Sequence, residues 1–463
     1  MSYGRPRRMI VDLLPLFMFV TLMALVFTSY PIGFVLGGTA ALFGLIGSLF
    51  GVFSFVEFFN FAPRVWTVAE NLQIIAVPLF VFMGVMLERS EIAKDLLAAL
   101  QLLLRPVPGG IALAVTLMGV IFAAITGVVG ASVIVLTLIA LPPMLAAGYR
   151  PSLALGVIAA SSTLGILIPP SILLVFLGEM LPMSVGFLFA GAMAPGLLLA
   201  LLYVLYILIL ALVDPAAAPR ATAAEARLDR AREPVLPILV RGILPPAALI
   251  VLVMGSILTG FVTITESAAV GAAGALLLAA ARGKMGGGAL AESLTRSTMI
   301  IGMIFLLYIG ATSFAYVFRS LGGDEVIEMS IAAGAFGPWG ILILAIGTIF
   351  VMGFFFDVLE ILLIAVPLFG PIVILLDFGS HIPQPDVVYW FAVLVAITLQ
   401  TSFLTPPMGL SLFYIKGVAP PSIAMRQIYA GIVPFVCLQL LCVGLVLAWP
   451  ETVLYLPHLL FDP

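Results

Sequence analysis

The parts of this 463-residue chain best suited to chemistry are interruptions in apolar sequence rather than a catalytic set. Gly165–Ser171 reads GILIPPS and Leu404–Gly409 reads LTPPMG. An adjacent proline pair removes two backbone donors and clashes with the preceding turn, so a helix is expected to stop there. In hydrocarbon the freed carbonyls need partners, and non-helical backbone survives only where it is buried in protein or lines a cavity. The carbonyls near Gly165–Ile168, next to Pro169, and near Phe403–Thr405, with Met408 and Gly409 beyond, are oxygen ligands of the kind an alkali cation takes. A Na⁺ site at each break is therefore expected. Thr126–Ser132 (TGVVGAS) is the partner break in the first half, where Gly127 and Gly130 permit unwound backbone and Thr126 and Ser132 offer hydroxyls. In the second half the partner is Gly353–Val358, which contains Asp357.

Asp357 lies in VMGFFFDVLEILLIAVP, where an ionisable group costs about 2.5–3.5 kcal/mol on insertion scales. Two roles fit it: neutralisation by a bound cation or a proton, or capping of the apolar helix that follows. Glu266 in TITESAAVG is surrounded by Thr263, Thr265 and Ser267 and reads as a first-turn carboxylate with Thr263 or Thr265 as cap. Glu88, Arg89, Glu91, Lys94 and Asp95 mix signs as a solvated interfacial turn does. Arg319 follows the apolar run Ile300–Phe318 and suits either an anionic substrate or a snorkelling interfacial position. Ser171, at the end of the first break, is the other substrate-side candidate. No GxxxxGK[ST] phosphate loop is present, no HExxH zinc site can be built from His381 and His458, and no GxSxG elbow occurs. A protease using Asp357 needs a second carboxylate or a Ser/His pair at membrane depth, for which no motif exists. The chain is not expected to be an enzyme, and energy for transport must come from an ion gradient.

Such breaks need a membrane scaffold to position them, and the composition supplies one. Of the residues 63% are hydrophobic and 9% charged, against roughly 25% charge in soluble domains. The runs Ile111–Gly127 continuing into Val128–Leu145, Leu197–Val213 and Ile341–Phe356 match a hydrocarbon core that takes about 20 helical residues. Solid apolar runs, rather than period-two alternation, select helices over a barrel. The hydrophobic content allows at most roughly 14 spans. A net charge of −3 and a pI near 5.5 exclude a basic nucleic-acid binder. Cys437 and Cys442, the two cysteines, supply no disulfide framework. Trp66, Trp339, Trp390 and Trp449 lie near ends of apolar runs, as interface anchors do.

One polar stretch, Asp214–Pro237, reads as a linker between halves, and Arg220, Arg227, Arg230, Arg232 and Arg241 assign it to the cytoplasm. The halves repeat. Ile32–Gly44 resembles Thr259–Gly271, Ala124–Pro143 answers Phe350–Phe369, and Thr163–Leu177 answers Thr401–Ile415, at similar offsets and in one order. The expected division is 1–213 as first repeat with an N-terminal helix, 214–241 as linker, 242–427 as second repeat and 428–463 as a C-terminal transmembrane helix. Arg5, Arg7 and Arg8 precede an apolar stretch without a small-residue cleavage site, read as a retained first helix. Inverted halves with an odd number of crossings put the two chain positions on opposite sides, so with a cytoplasmic linker the N-terminus is expected outside.

The series VPLFVFMG (Val77–Gly84), ITGVVGAS (Ile125–Ser132), LPPMLAAGY (Leu141–Tyr149), GILIPPSI (Gly165–Ile172), LFAGAMAPGLL (Leu188–Leu198), TITESAAVGA (Thr263–Ala272) and QTSFLTPPMGLSLFYIKGVAP (Gln400–Pro420) resembles the large membrane subunit of tripartite ATP-independent periplasmic (TRAP) transporters, over nearly the whole chain. The resemblance implies an all-α polytopic fold of the ion transporter superfamily, with two inverted repeats, re-entrant hairpins and an elevator mechanism. It implies a multi-pass protein of the bacterial inner membrane that imports small organic acids with Na⁺. Its implied partners are a small four-helix membrane subunit, a periplasmic substrate-binding protein and membrane lipid. By motif, one Na⁺ site lies between Thr126–Ser132 and Gly165–Pro169 and another between Asp357 and Thr405–Gly409. Val128 and Val129 stand where many relatives carry two serines, which leaves mainly backbone oxygen, Thr126 or Ser132 at the first site. A self-sufficient Na⁺- or H⁺-coupled organic anion carrier is the alternative.

Overall fold

The computed structural model describes residues 13–28, 30–126, 129–220, 235–326, 337–406 and 409–461, and every regular element among them is helical. An outer frame begins with α1 (Leu14–Val26), α2 (Ile32–Phe50), the amphipathic α3 (Phe61–Glu70), α4 (Ala76–Arg89) and α5 (Ile92–Leu104). Then come a helix pair, α6 (Gly110–Thr126) and α7 (Val129–Ala146), a broken helix, α8 (Pro151–Thr163) and α9 (Ile172–Met180), and the long α10 (Val185–Val213). The frame resumes with α11 (Val235–Leu258), α12 (Ile264–Ala281) and α13 (Ala289–Ser320). The same series then returns: the pair α14 (Pro338–Met352) and α15 (Val358–Val373), the broken helix α16 (Val387–Leu404) and α17 (Leu410–Val418), the long α18 (Met425–Ala448), and a final α19 (Glu451–Phe461).

The series interlock reciprocally. In the frame, α2 lies along α13 and α4 along α12; inside, α8 lies along α18 and α10 against α16, while α7 receives α17 and α15 receives α9. Seven helices among the described residues are long and apolar enough to cross a membrane. The span Gln384–Leu404, which includes α16, is 94% buried and Leu236–Leu258 of α11 only 22%, so α16 is the central element and α11 faces lipid. The expected linker end at 241 falls inside α11, which starts at Val235, and the expected boundary at 428 falls inside α18. Residues 221–234 of the linker and 1–12 of the N-terminus lie outside the described residues.

Close crossings rest on small residues. A Cβ at Gly156 of α8 would stand 2.1 Å from the Gly431 carbonyl oxygen, and one at Gly431 of α18 would stand 2.1 Å from that of Ser152. Only glycine at both positions lets the backbones meet this closely, as small-residue interfaces do in membranes.

The expectation that adjacent prolines end a helix holds at Pro169–Pro170, where α16 stops before Pro406 and where α17 stops before Pro420–Pro421, but Pro142–Pro143 sit inside α7 and Pro245–Pro246 inside α11. Proline at 245 removes the N–H that would bond the Arg241 carbonyl. Arg282 Nη2 donates to that carbonyl instead, at 2.9 Å, so the helix continues. Trp390 also differs from expectation. It is fully buried with Nε1 donating to the Val446 carbonyl, because α16 is interior, whereas Trp66 and Trp449 are exposed.

Candidate ion and substrate site

The two proline breaks and the partner segments converge on one cavity of about 390 Å³. One wall is formed by Val129, Gly130 and Ile134 of α7, the first break with Gly165, Ile166 and Ser171, the start of α15 with Asp357 and Val358, and Phe403 and Tyr414 from either side of the second break. The lining also includes a stripe of α13: Arg296, Met299, Ile300, Met303 and Ile304. That spacing places all five on one helical face.

The breaks are less bare than the sequence suggests. Ser171 Oγ donates to the Ile166 carbonyl at 2.8 Å, and Ser411 Oγ donates to the Phe403 carbonyl at 2.9 Å. Each half thus satisfies one carbonyl of its break with the hydroxyl that follows it, and the Ser171 proton is spent on backbone rather than aimed at a substrate. The Thr405 carbonyl accepts from the Gly409 N–H at 3.1 Å, while Thr405 Oγ1 donates to the Thr401 carbonyl, leaving its oxygen lone pairs as acceptors. Gly409 is packed so that a Cβ would meet the Leu404 carbonyl carbon at 2.9 Å. Ile168, Pro169 and Ser132 are buried beside the cavity without lining it. Gly127, Met408 and the side chain of Thr126 lie outside the described residues.

Asp357 occupies the N-cap position of α15, and Glu360 Oε2 reaches back to accept its N–H at 2.9 Å. The capping geometry is therefore present at a carboxylate that also lines the cavity. Glu266 behaves as read: Thr263 Oγ1 accepts from the Glu266 N–H, and Glu266 Oε2 accepts from the Thr263 N–H at 2.8 Å. At the centre, Gln400 Nε2 donates to Thr163 Oγ1 at 3.3 Å and so ties the ends of α8 and α16 together. The Gln400 Oε1 atom is buried without a hydrogen-bond partner among the described residues. Among the described residues no cluster of His, Cys, Asp and Glu suits a transition metal. Around the helix breaks and Asp357 the polar groups are hydroxyl, carbonyl and carboxylate oxygens, which fit a hard cation.

Arg319 is not at this cavity. It ends α13, twenty-three residues beyond Arg296, which is about 35 Å at 1.5 Å per residue. Its Nη2 donates to the Pro367 carbonyl at 2.8 Å. That carbonyl is the one Pro371 leaves without its helical donor, four residues on within α15. Arg319 therefore repairs a proline gap, as Arg282 does at Arg241, and does not join Ser171 at the cavity.

Arg296 was not singled out from sequence. In SLTRSTMIIG it opens an apolar run and resembles any interfacial arginine; only the packing of α13 turns it into the cavity. It also lines a second, charged cavity of about 440 Å³ with Glu88, Arg89, Glu91, Lys94 and Glu292. There the ions pair between elements: Arg296 with Glu88 at 2.9 Å, Arg89 with Glu292 at 2.6 Å, and Lys284 with Glu91 at 2.9 Å. The hydrogen bond from Lys284 to Glu91, with Lys94 beside it, holds the Glu91 carboxyl below its ordinary range. The turn expected to be merely solvated is a bracket joining α4 and α5 to α12 and α13.

The model of the "Tripartite ATP-independent periplasmic transporter, DctM component" family matches residues 19–452. The chain is 28% identical over 401 residues to the C4-dicarboxylate TRAP transporter large permease protein DctM of Pseudomonas aeruginosa, covering 86% of this chain and 89% of that one. It is 26% identical over 446 residues to the ectoine TRAP transporter large permease protein TeaC of Halomonas elongata, covering 96% and 99%. Among solved structures, the YdaH transporter of Alcanivorax borkumensis shares the fold with a TM-score of 0.56 at 15% identity, over 94% of this chain and 97% of that one. With its broken helices meeting at one cavity and its family model matched almost end to end, the chain belongs to the DctM family, the large permease component of tripartite ATP-independent periplasmic transporters.

Proposed function

We propose that this component drives uptake of small organic acids with Na⁺, together with a small four-helix membrane subunit and a periplasmic substrate-binding protein, in the bacterial inner membrane. The observation that carries the reading is the convergence of both helix breaks and of Asp357 on one cavity. Na⁺ is drawn to the Asp357 side, where Thr405, Gly409, Gly130 and the first break add oxygen ligands, and substrate occupies the remaining volume. Relatives named for a C4-dicarboxylate and for ectoine support a carboxylate-bearing substrate. The two similar series, 1–213 and 242–427 with α18 reassigned to the second, are read as inverted repeats. Their inner elements, the helix pairs with the broken helices, form the moving body of an elevator, and the outer helices form the frame.

Sidedness follows from charge. Arg89, Lys94, Arg241, Arg282, Lys284 and Arg296 gather at the linker end of the bundle, the cytoplasmic end by the positive-inside rule. Phe19 of α1 lies beside Phe314 and Phe318 near the other end of α13, which supports an outside start for α1. The test is uptake into proteoliposomes containing this chain and its small partner, with and without a Na⁺ gradient and the cognate receptor. Uptake that requires both is expected. Uptake without the receptor, or driven by protons alone, refutes the reading in favour of a self-sufficient carrier.

A further inference from the structure

Arg296 is the one cationic side chain among the described residues that line the inner cavity, and Asp357 is the one carboxylate there. They come from different elements, Asp357 from the start of α15 and Arg296 from α13. Asp357 sits with the helix breaks, whereas Arg296 sits on α13, at the end of a stripe whose next four members are apolar and lead inward to Ile304. Arg296 also faces the charged outer cavity, so it stands where the two spaces adjoin. Its partner there, Glu88, bonds through a single Nη1 contact. The side chains are 45% and 23% exposed, a wet setting in which an ion pair holds weakly and exchanges readily. The other cations of the outer cavity do not reach the inner one.

We propose that Arg296 is an anion subsite at the mouth of the cavity, for which Glu88 and a substrate carboxylate compete. This rests on the reading that the cavity carries organic acids. A guanidinium accepts a carboxylate in a planar fork, so one carboxylate replaces another with no change of chemistry at Arg296. Asp357 repels an anion from the inner end until a cation neutralises it, which orients an organic acid with its carboxylate toward Arg296. Glu88 then retakes Arg296 as the acid leaves, so that the guanidinium is never left unpaired at the mouth.

The test is equilibrium binding of radiolabelled succinate, lactate and N-acetylneuraminate to the purified complex of this chain with its small partner, at fixed Na⁺ and ionic strength. Arg296→Gln is expected to weaken carboxylate binding at least tenfold, with Arg296→Lys intermediate. Glu88→Gln is expected to tighten it several-fold, and the double variant to match Arg296→Gln. The thermal stabilisation produced by Na⁺ alone, retained in Arg296→Gln, shows that the variant is folded. A merely structural salt bridge predicts that Glu88→Gln and Arg296→Gln act in the same direction, and that result overturns the proposal. Carboxylate binding unchanged in Arg296→Gln overturns the subsite and leaves the transport reading standing. No carboxylate binding by the wild type also overturns the subsite, and receptor-dependent uptake remains the separate test of the transport reading.

Discussion

Arg319 allows a quantitative test of how this fold tolerates proline inside its helices. Pro371 has no N–H for the Pro367 carbonyl, and Arg319 Nη2 takes its place at 2.8 Å. Arg319→Leu leaves that carbonyl without its donor, a loss of about 1.5–3 kcal/mol for a bond to a charged group, with the lower half expected because Arg319 is 46% exposed. The nearby Asp324, 3.8 Å from Nε and exposed, adds at most about 1 kcal/mol. Pro371→Ala restores a backbone donor to the same carbonyl. In the Pro371→Ala background, Arg319→Leu should therefore lose only the small Asp324 contribution, a coupling of about 1.5–2 kcal/mol between the two positions. The assay is equilibrium unfolding of the four proteins of the cycle in mixed micelles, with uptake measured in parallel. Equal costs of Arg319→Leu in both backgrounds would falsify the repair argument. Loss of uptake by Arg319→Leu in both backgrounds, with stability restored in the second, would return Arg319 to the substrate path.

Other consequences are open to measurement. Gly431→Ala forces the α8 and α18 backbones apart by about 1.3 Å to turn a 2.1 Å approach into an ordinary 3.4 Å contact; it should cost about 1–3 kcal/mol, while Gly444→Ala on the same helix, with open space around it, should be near neutral in the same unfolding assay. Asp357→Asn and Thr405→Val should abolish Na⁺-dependent uptake while membrane insertion, followed by fractionation, stays normal; normal uptake in both defeats the ion-site assignment. Ser171→Ala and Ser411→Ala each strip a buried carbonyl of its partner and should each cost about 1–3 kcal/mol of stability, and if either lowers affinity for substrate more than stability, its hydroxyl has a second role. The carboxyl of Glu91 is depressed in the fold, so its contribution is present above the ordinary value of 4.5 and fades as pH falls through the folded value. Glu91→Gln should remove that small acid-side loss of stability, and added salt should shrink it in the wild type.

The sequence made the two breaks legible because proline acts locally: a missing donor and a clashing ring are written at the residue itself. Glu266 was legible for the same reason, since a cap and its reciprocal carboxylate lie three residues apart. What was not legible depended on which helix lies beside which. Arg296 and Arg319 bracket the same helix and look alike in sequence, yet one turns to a cavity and the other to a proline gap. The hydroxyls of Ser171 and Ser411 were visible, but not the carbonyls they reach. Trp390 looked like an interface anchor because nothing in VVYWFAVLV tells a lipid-facing helix from one sealed on all sides. The prolines at 245–246 show the complement: a local rule fails where a distant arginine takes a freed carbonyl.

The burial of α16 bears on how the protein is made. This helix carries Thr398, Gln400, Thr401 and Ser402, all buried, and its flanks are covered by α10 from early in the chain and by α18, which follows it. When α16 leaves the ribosome and enters the bilayer, α18 has not yet been synthesised, so the flank carrying Trp390, whose indole N–H donates to the Val446 carbonyl of α18, meets lipid or the insertion machinery until its cover arrives. Chain elongation thus imposes an order on assembly. The first half waits as a preformed cradle, α16 enters it incomplete, and the arrival of α18, threading Gly431 against Ser152 and Gly156, closes the interior. Truncation between α16 and α18 would strand a helix that carries four buried polar residues, and quality-control proteases would find their substrate there.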